Sequence, residues 1–181
     1  MAIREKYFIP DNIYFITFTI LDWKKIFTTK NYCNLIYKWF DYTKEKYGNK
    51  IYGYVIMPNH IHVLMYITKQ SPAISKLIQN AKRFLAYEIV SLLKKENNVE
   101  MLNFFTANAN IKKRAKHKIF ADRFDSKLVD ANLFWEKLRY IHNNPCQERW
   151  HLSETPEEYK YSSASNYILG SGLYDVEVVS G

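Results

Sequence analysis

The sequence predicts an α+β protein of the ferredoxin-like, split βαβ type. A four-stranded antiparallel sheet carries helices on one face, and an extra C-terminal helix and a tail follow. Three observations lead there. The apolar residues switch between alternation and helical spacing in the order strand, helix, strand, strand, helix, strand, helix. Two of the strands are separated only by Pro58-Asn59, and so short a link makes them an antiparallel hairpin. The 181 residues are 48% hydrophobic and 24% charged, which suits one packed domain and argues against disorder.

The elements follow in order. Residues 12–21, NIYFITFTIL, are rich in Ile, Phe, Tyr and Thr and read as a strand. Leu35, Ile36, Trp39 and Phe40 recur at helical spacing; Thr28 or Thr29 precedes this helix as a cap and Gly48 lies beyond its end. KIYGYVIM and HIHVLMYIT, either side of Pro58-Asn59, are the hairpin strands. A long amphipathic helix follows over 71–97, with Ser71 as its expected cap and Pro72 in its first turn. After the polar, basic stretch NANIKKRAKHK, the segment IFADRFDSKLVD alternates enough for a fourth strand. ANLFWEKLRYIHNN is the last predicted helix, stopped by Pro145. Residues 1–150 thus hold the fold. Residues 151–181 have weak signals and read as a tail, within the same domain or appended to it.

Composition narrows the partners. The net charge is +8, which favours a polyanion, either nucleic acid or an anionic membrane surface. No apolar run is long enough to span a bilayer, and the start MAIREKYFIPDN has no signal-peptide core. A cytoplasmic protein is expected. The two cysteines, Cys33 and Cys146, are far apart in sequence and read as reduced thiols.

One stretch stands out. His60 and His62 sit one residue apart in the apolar run YVIMPNHIHVLMYI. On a strand, residues i and i+2 share a face, so the two imidazoles project side by side while Ile61 and Val63 point the other way. Such a pair can converge on a divalent metal, or can be two hydrogen-bonded structural histidines. On the last helix, Glu136, Tyr140 and Asn144 follow at i, i+4 and i+8 and share a face. A tyrosine and an amide there can present a nucleophile and a ligand, or Tyr140 can simply pack.

YVIMPNHIHVL together with LRYIHNNP resembles the single-tyrosine HUH transposases, and among them the REP-associated tyrosine transposases. YKYSSASNYILG, residues 159–170, is similar to a third motif of that group, although Tyr161 stands where many relatives have Trp. After Asn-Pro the chain reads CQERWH, where the relatives usually carry small and basic residues. The resemblance spans roughly residues 5 to 170. It implies that His60, His62 and Asn144 hold a divalent metal, Mg²⁺ or Mn²⁺, and that Tyr140 is the nucleophile. The implied reaction is cleavage and strand transfer of single-stranded or hairpin DNA through a 5′-phosphotyrosine. The implied setting is the bacterial nucleoid, with monomer and homodimer both open. Lys82, Arg83, Lys112, Lys113, Arg114, Lys116 and Lys118 are candidate DNA contacts, with a solvated loop as the alternative for the second cluster. Two other functions compete. One is a non-catalytic nucleic-acid-binding sheet, for which the third strand lacks a Lys/Arg-Gly-Phe signature. The other is a metal-dependent phosphodiesterase with water as nucleophile.

Overall fold

The computed structural model describes residues 8–109 and 116–180. Four strands, β1 (Asn12–Ile20), β2 (Lys50–Met57), β3 (His60–Ile67) and β4 (Phe120–Val129), form one antiparallel sheet in the order β2-β3-β1-β4. This is the predicted α+β arrangement, with β1 and β3 in the centre.

The alternation in β1 and β3 sorts their side chains. Tyr14, Ile16, Phe18 and Ile20 of β1 and Ile61, Val63, Met65 and Ile67 of β3 enter the main core. They meet α1 (Lys30–Tyr47) and α2 (Ile74–Lys95) through Ile36, Phe40, Ile78 and Leu85 among others. Fully burying one such side chain stabilises the fold by about 1.5–3 kcal/mol. Gly48 ends α1 in the left-handed region at φ 68°, and its N–H caps Lys44 O, as the sequence suggests.

α2 starts later than expected. Its cap position is Ala73, with no side-chain cap, so Pro72 lies outside the helix. Ser71 instead accepts a hydrogen bond from Asn49 Nδ2 at 3.4 Å. A short helix, α3 (Val99–Ala107), follows where none was predicted. Its nine residues are too few to show a period, but Asn98 caps it by accepting from Met101 N, and Phe105 anchors it in the core.

The extra helix, α4 (Ala131–Asn143), crosses the second face of the sheet. Phe134, Leu138 and Ile141 pack there on Val55, Met57 and Leu64. Asp130 caps α4 by accepting from Leu133 N. Pro145 does not end the chain's coiling at once, because Asn144–Cys146 continue as a 3₁₀ turn.

The tail has definite contacts. Ile56 N donates to Tyr161 O at 2.9 Å and Glu177 N to Ile51 O at 2.8 Å, so the tail covers the outer edge of β2. Tyr54 N donates to Ser163 Oγ at 2.9 Å, and the same oxygen pairs with His142 Nε2 at 2.9 Å. The Ser162-Ser163 pair therefore clips the tail, which includes α5 (Ala164–Ile168), to both β2 and α4.

Gly53 makes room for α4. A Cβ at that position would sit 2.5 Å from Leu138 Cδ1. Leu138 is buried on the sheet and has little space to retreat. Gly53→Ala is therefore expected to lower stability by about 1–3 kcal/mol in urea denaturation. An unchanged midpoint would mean that α4 does not depend on this close approach.

Candidate active site

The second face of the sheet is where the two histidines emerge. The register sets Thr17 opposite His62 and Thr19 opposite His60 on the β1 side, and Val55 and Met57 opposite them on β2. His60 and His62 are nearly fully buried, with ring centroids 4.7 Å apart. The Pro58-Asn59 turn is tied down from outside: Pro58 O accepts from Ile26 N and Phe27 N, and Asn59 O from Ile20 N.

Each imidazole is held by its Nδ1. Asn59 Nδ2 donates to Trp23 O at 3.2 Å, which leaves Asn59 Oδ1 to accept from His60 Nδ1 at 2.7 Å. That bond places the proton on Nδ1 and the lone pair on Nε2. His62 Nδ1 pairs with Thr17 Oγ1 at 2.6 Å, and its Nε2 is buried with no partner. Metal-bound histidines are oriented in this way, one nitrogen fixed by an outer oxygen and the other free.

Electrostatics keep both rings neutral. Burial, and then the charge of Arg149, pushes His60 down to about 4. Burial, and then His60 and Arg149, holds His62 well below the usual histidine range. Neutral imidazole is the form that ligates a metal.

α4 supplies the other groups. Tyr140 is 37% exposed, and its ring lies edge-on to His62 at 5.2 Å and to Phe15 at 5.9 Å. Asn144, one turn on, is 0% exposed, and neither its Oδ1 nor its Nδ2 has a hydrogen-bond partner. An unsatisfied buried polar group costs about 1–3 kcal/mol, so such atoms usually await a partner. The orphaned His62 Nε2 and Asn144 amide fit a bound cation. Among the described residues no group of three His, Cys, Asp or Glu could hold one. Glu136, the first member of the predicted stripe, turns outward and pairs with Lys137 at 2.7 Å.

Several residues here escaped the sequence reading. Phe15 stacks on His62 at 5.3 Å, and the Lys137 ammonium lies 5.7 Å from the Phe15 ring. Trp150 packs against His60 at 5.5 Å and carries the Arg149 guanidinium over its own ring at 5.6 Å. Its indole Nε1 is buried without a partner. Trp23 approaches His60 from another direction at 5.8 Å. Asp22 and Trp23 both hold positive φ, 49° and 57°, a strained pair that aims the Trp23 carbonyl at Asn59. Alternation along β1 hints at Thr17, and adjacency hints at Asn59. Nothing local marks Trp150. A depression of about 350 Å³ adjoins this face, lined by Thr17, Thr19, Trp23, Arg123 and Asp125 among others.

The described cationic candidates, Lys82, Arg83, Lys116 and Lys118, have no recorded contact with these groups. Lys82 Nζ donates to Ala121 O at 2.7 Å and Arg123 O at 2.9 Å, which ties α2 to β4. Arg83 lies on the outer face of the helical layer. Lys116 is exposed, and Lys118 pairs with Asp122 at 2.8 Å. Lys112, Lys113 and Arg114 lie outside the described residues. Cys33 and Cys146 are free thiols, as expected. Among the described residues no helix is long and apolar enough to cross a membrane.

Comparison with known proteins bears on the family and the fold. The sequence profile of the IS200-like transposases matches residues 11–144. Among solved structures, a REP-associated tyrosine transposase bound to a REP hairpin is similar in fold. The TM-score is 0.67 at 15% identity, covering 100% of this chain and 93% of that one. A putative transposase from Deinococcus radiodurans aligns with a TM-score of 0.48 at 15% identity, over 79% of this chain and 97% of that one. No curated protein matches the chain.

The buried histidines set an acid limit. Burial pushes His142 down to about 4, as it does His60. In the unfolded chain a histidine takes its proton near pH 6.5. Between those values the unfolded state binds more protons, so stability falls as the pH drops from about 6.5 towards 4. Above that window both states are neutral and the effect vanishes. Urea midpoints measured from pH 7.5 to 4.5 are expected to fall across it, and to fall less steeply in His142→Gln. A flat profile would contradict the burial of these rings.

Proposed function

From the premise that the chain belongs to the IS200-like transposase family, as the match over residues 11–144 shows, we propose that it cuts and rejoins single-stranded DNA through a covalent bond to Tyr140. The observation that carries this reading is the Tyr140 ring beside His62, with His62 Nε2 and the Asn144 amide both buried and unpartnered.

His60, His62 and Asn144 would hold a divalent ion, with Mg²⁺ or Mn²⁺ suited to a site that keeps open, oxygen-rich positions. When bound, such an ion supplies positive charge that neutralises the scissile phosphate and stabilises the charge of the transition state. The protein's own groups do the rest. Asn59 and Thr17 hold the rings of His60 and His62 in place through Nδ1. Phe15 and His62 confine the Tyr140 ring, which limits where its hydroxyl can go.

Tyr140 Oη attacks phosphorus and loses its proton. A new O–P bond forms to Tyr140, and the bond from phosphorus to the DNA 3′-oxygen breaks. The 3′-oxygen leaves with a proton as a hydroxyl. One phosphodiester replaces another, so no nucleotide triphosphate is needed. Attack by a different 3′-hydroxyl reverses the step and transfers the strand. The expected substrate is a hairpin with unpaired flanks, in keeping with the hairpin bound to the structurally similar transposase.

Two experiments test the reading. Incubation with Mn²⁺ and labelled hairpin oligonucleotides should yield a covalent protein–DNA band on a denaturing gel. That band should vanish in Tyr140→Phe and with chelator. Cleavage that persists in Tyr140→Phe without a band would point to water as nucleophile. Binding with neither band nor cleavage would point to a non-catalytic binder. The second variant is Asn144→Ala. Because it removes two unsatisfied atoms, it should cost the metal-free protein no more than about 1 kcal/mol. The rise in melting temperature on adding Mn²⁺, expected for the parent protein, should shrink or disappear. A full Mn²⁺ response in Asn144→Ala would remove Asn144 from the ligand set.

A further inference from the structure

The helical layer lies on the side of the sheet away from His60 and His62, and it carries a groove that the chemistry above does not use. α2 sets Asn80, Arg83, Phe84 and Tyr87 along one stripe at i, i+3, i+4 and i+7. α1 faces it with Trp39, Tyr42 and Lys46 at the same kind of spacing. Between them is a depression of about 600 Å³. A second, of about 500 Å³, adjoins it, shares Arg83 and Tyr87, and is bounded by Lys94, Lys116 and His117. From Asn80 to Lys94 the stripe runs about 21 Å along the helix, room for several nucleotides.

Two properties of this groove occur together. Its rings are open to solvent: Phe84 is 40% exposed, Tyr42 46% and Tyr87 73%. Exposed rings of this kind can act as platforms on which bases stack. Its charge has one sign. Lys46, Arg83, Lys94 and Lys116 line the two depressions, and among the described residues no carboxylate does. Lys46 is already ordered among the rings, donating to Tyr42 Oη at 2.8 Å and lying 5.2 and 5.6 Å from the Tyr42 and Tyr47 centroids. A partner helix would want the apolar surface without four cations. A rigid duplex would want the cations without the rings, since its bases are stacked inside. A flexible polyanion with free aromatic faces suits both.

We propose that the α1–α2 groove binds unpaired nucleotides of single-stranded DNA, with Tyr42, Phe84 and Tyr87 stacking bases and Lys46, Arg83, Lys94 and Lys116 meeting phosphates. This rests on the reading of the chain as one that handles single-stranded DNA, but not on the roles of Tyr140 or a metal. The groove would hold the DNA flank on the face opposite the cut and so lengthen the path over which a substrate is gripped.

The test uses the full chain and hairpin oligonucleotides carrying 5-iododeoxyuridine in their unpaired flanks. Photo-crosslinked peptides are mapped by mass spectrometry, and affinity is read by fluorescence anisotropy. Crosslinks are expected in α2 at Phe84 or Tyr87. The double variant Phe84→Ala/Tyr87→Ala should bind flanked hairpins about tenfold or more weakly and blunt hairpins as the parent does. Arg83→Ala should lower the salt dependence by about one counterion. These side chains are exposed, and a thermal melt checks that each variant folds. Crosslinks elsewhere with unaltered affinity would overturn the groove, and a covalent band at Tyr140 in the same samples would leave the proposed chemistry standing. A groove crosslink without any covalent band would uphold the groove and count against that chemistry. Concentration-dependent dimerisation that the double variant abolishes, with DNA affinity unchanged, would overturn the proposal in favour of an interface between copies.

Discussion

The register of β3 between β1 and β2 is the constraint on which the site depends. Side chains on a strand alternate strictly, so a slip of one residue would turn His60 and His62 into the core and Ile61 and Val63 out of it. Nothing in the core could accept two imidazoles without loss. The apolar residues that alternate with the histidines therefore fix their direction as firmly as any contact the rings make. Pro58-Asn59 reinforces this, because the end of β1 binds the turn at Asn59 O and the loop after β1 binds it at Pro58 O.

Burial then gives the site its chemical character. A histidine pair in water would be partly protonated near neutral pH. Here burial is the leading cause that lowers both, and the charge of Arg149 adds to it. Their Nδ1 atoms are satisfied, but His62 Nε2 and the Asn144 amide are not. A fold held together for stability alone would fill those positions with apolar groups or bond them internally. The strained Asp22-Trp23 pair belongs to the same pattern: its cost is local, and it sets a carbonyl that orients Asn59 and, through it, His60.

α4 and the tail complete the arrangement from outside the sheet. Leu138 seats over Gly53, which has no side chain to keep it off, and Tyr140 follows two residues later. Ser163 joins Tyr54 of β2 to His142 of α4, so the tail helps to set the angle of the helix that carries Tyr140. The α1 and α2 faces are free of these demands, and their outward stripes can carry a different kind of surface.

The sequence by itself determined the type and order of the main elements, because the period of the apolar residues is a local property. It also determined that His60 and His62 share a strand face, and that Tyr140 and Asn144 share a helical one. It missed α3, whose nine residues show no period, and it set the start of α2 two residues early by reading Ser71 as its cap. Only the tertiary structure decided which strand faces which, and therefore that Thr17 meets His62. It decided that Lys82 is occupied by β4 carbonyls while Arg83, the next residue, faces the groove. It decided that Trp150, ninety residues downstream, closes over His60. These contacts join parts of the chain distant in sequence, and they follow from packing and register, which no local pattern encodes.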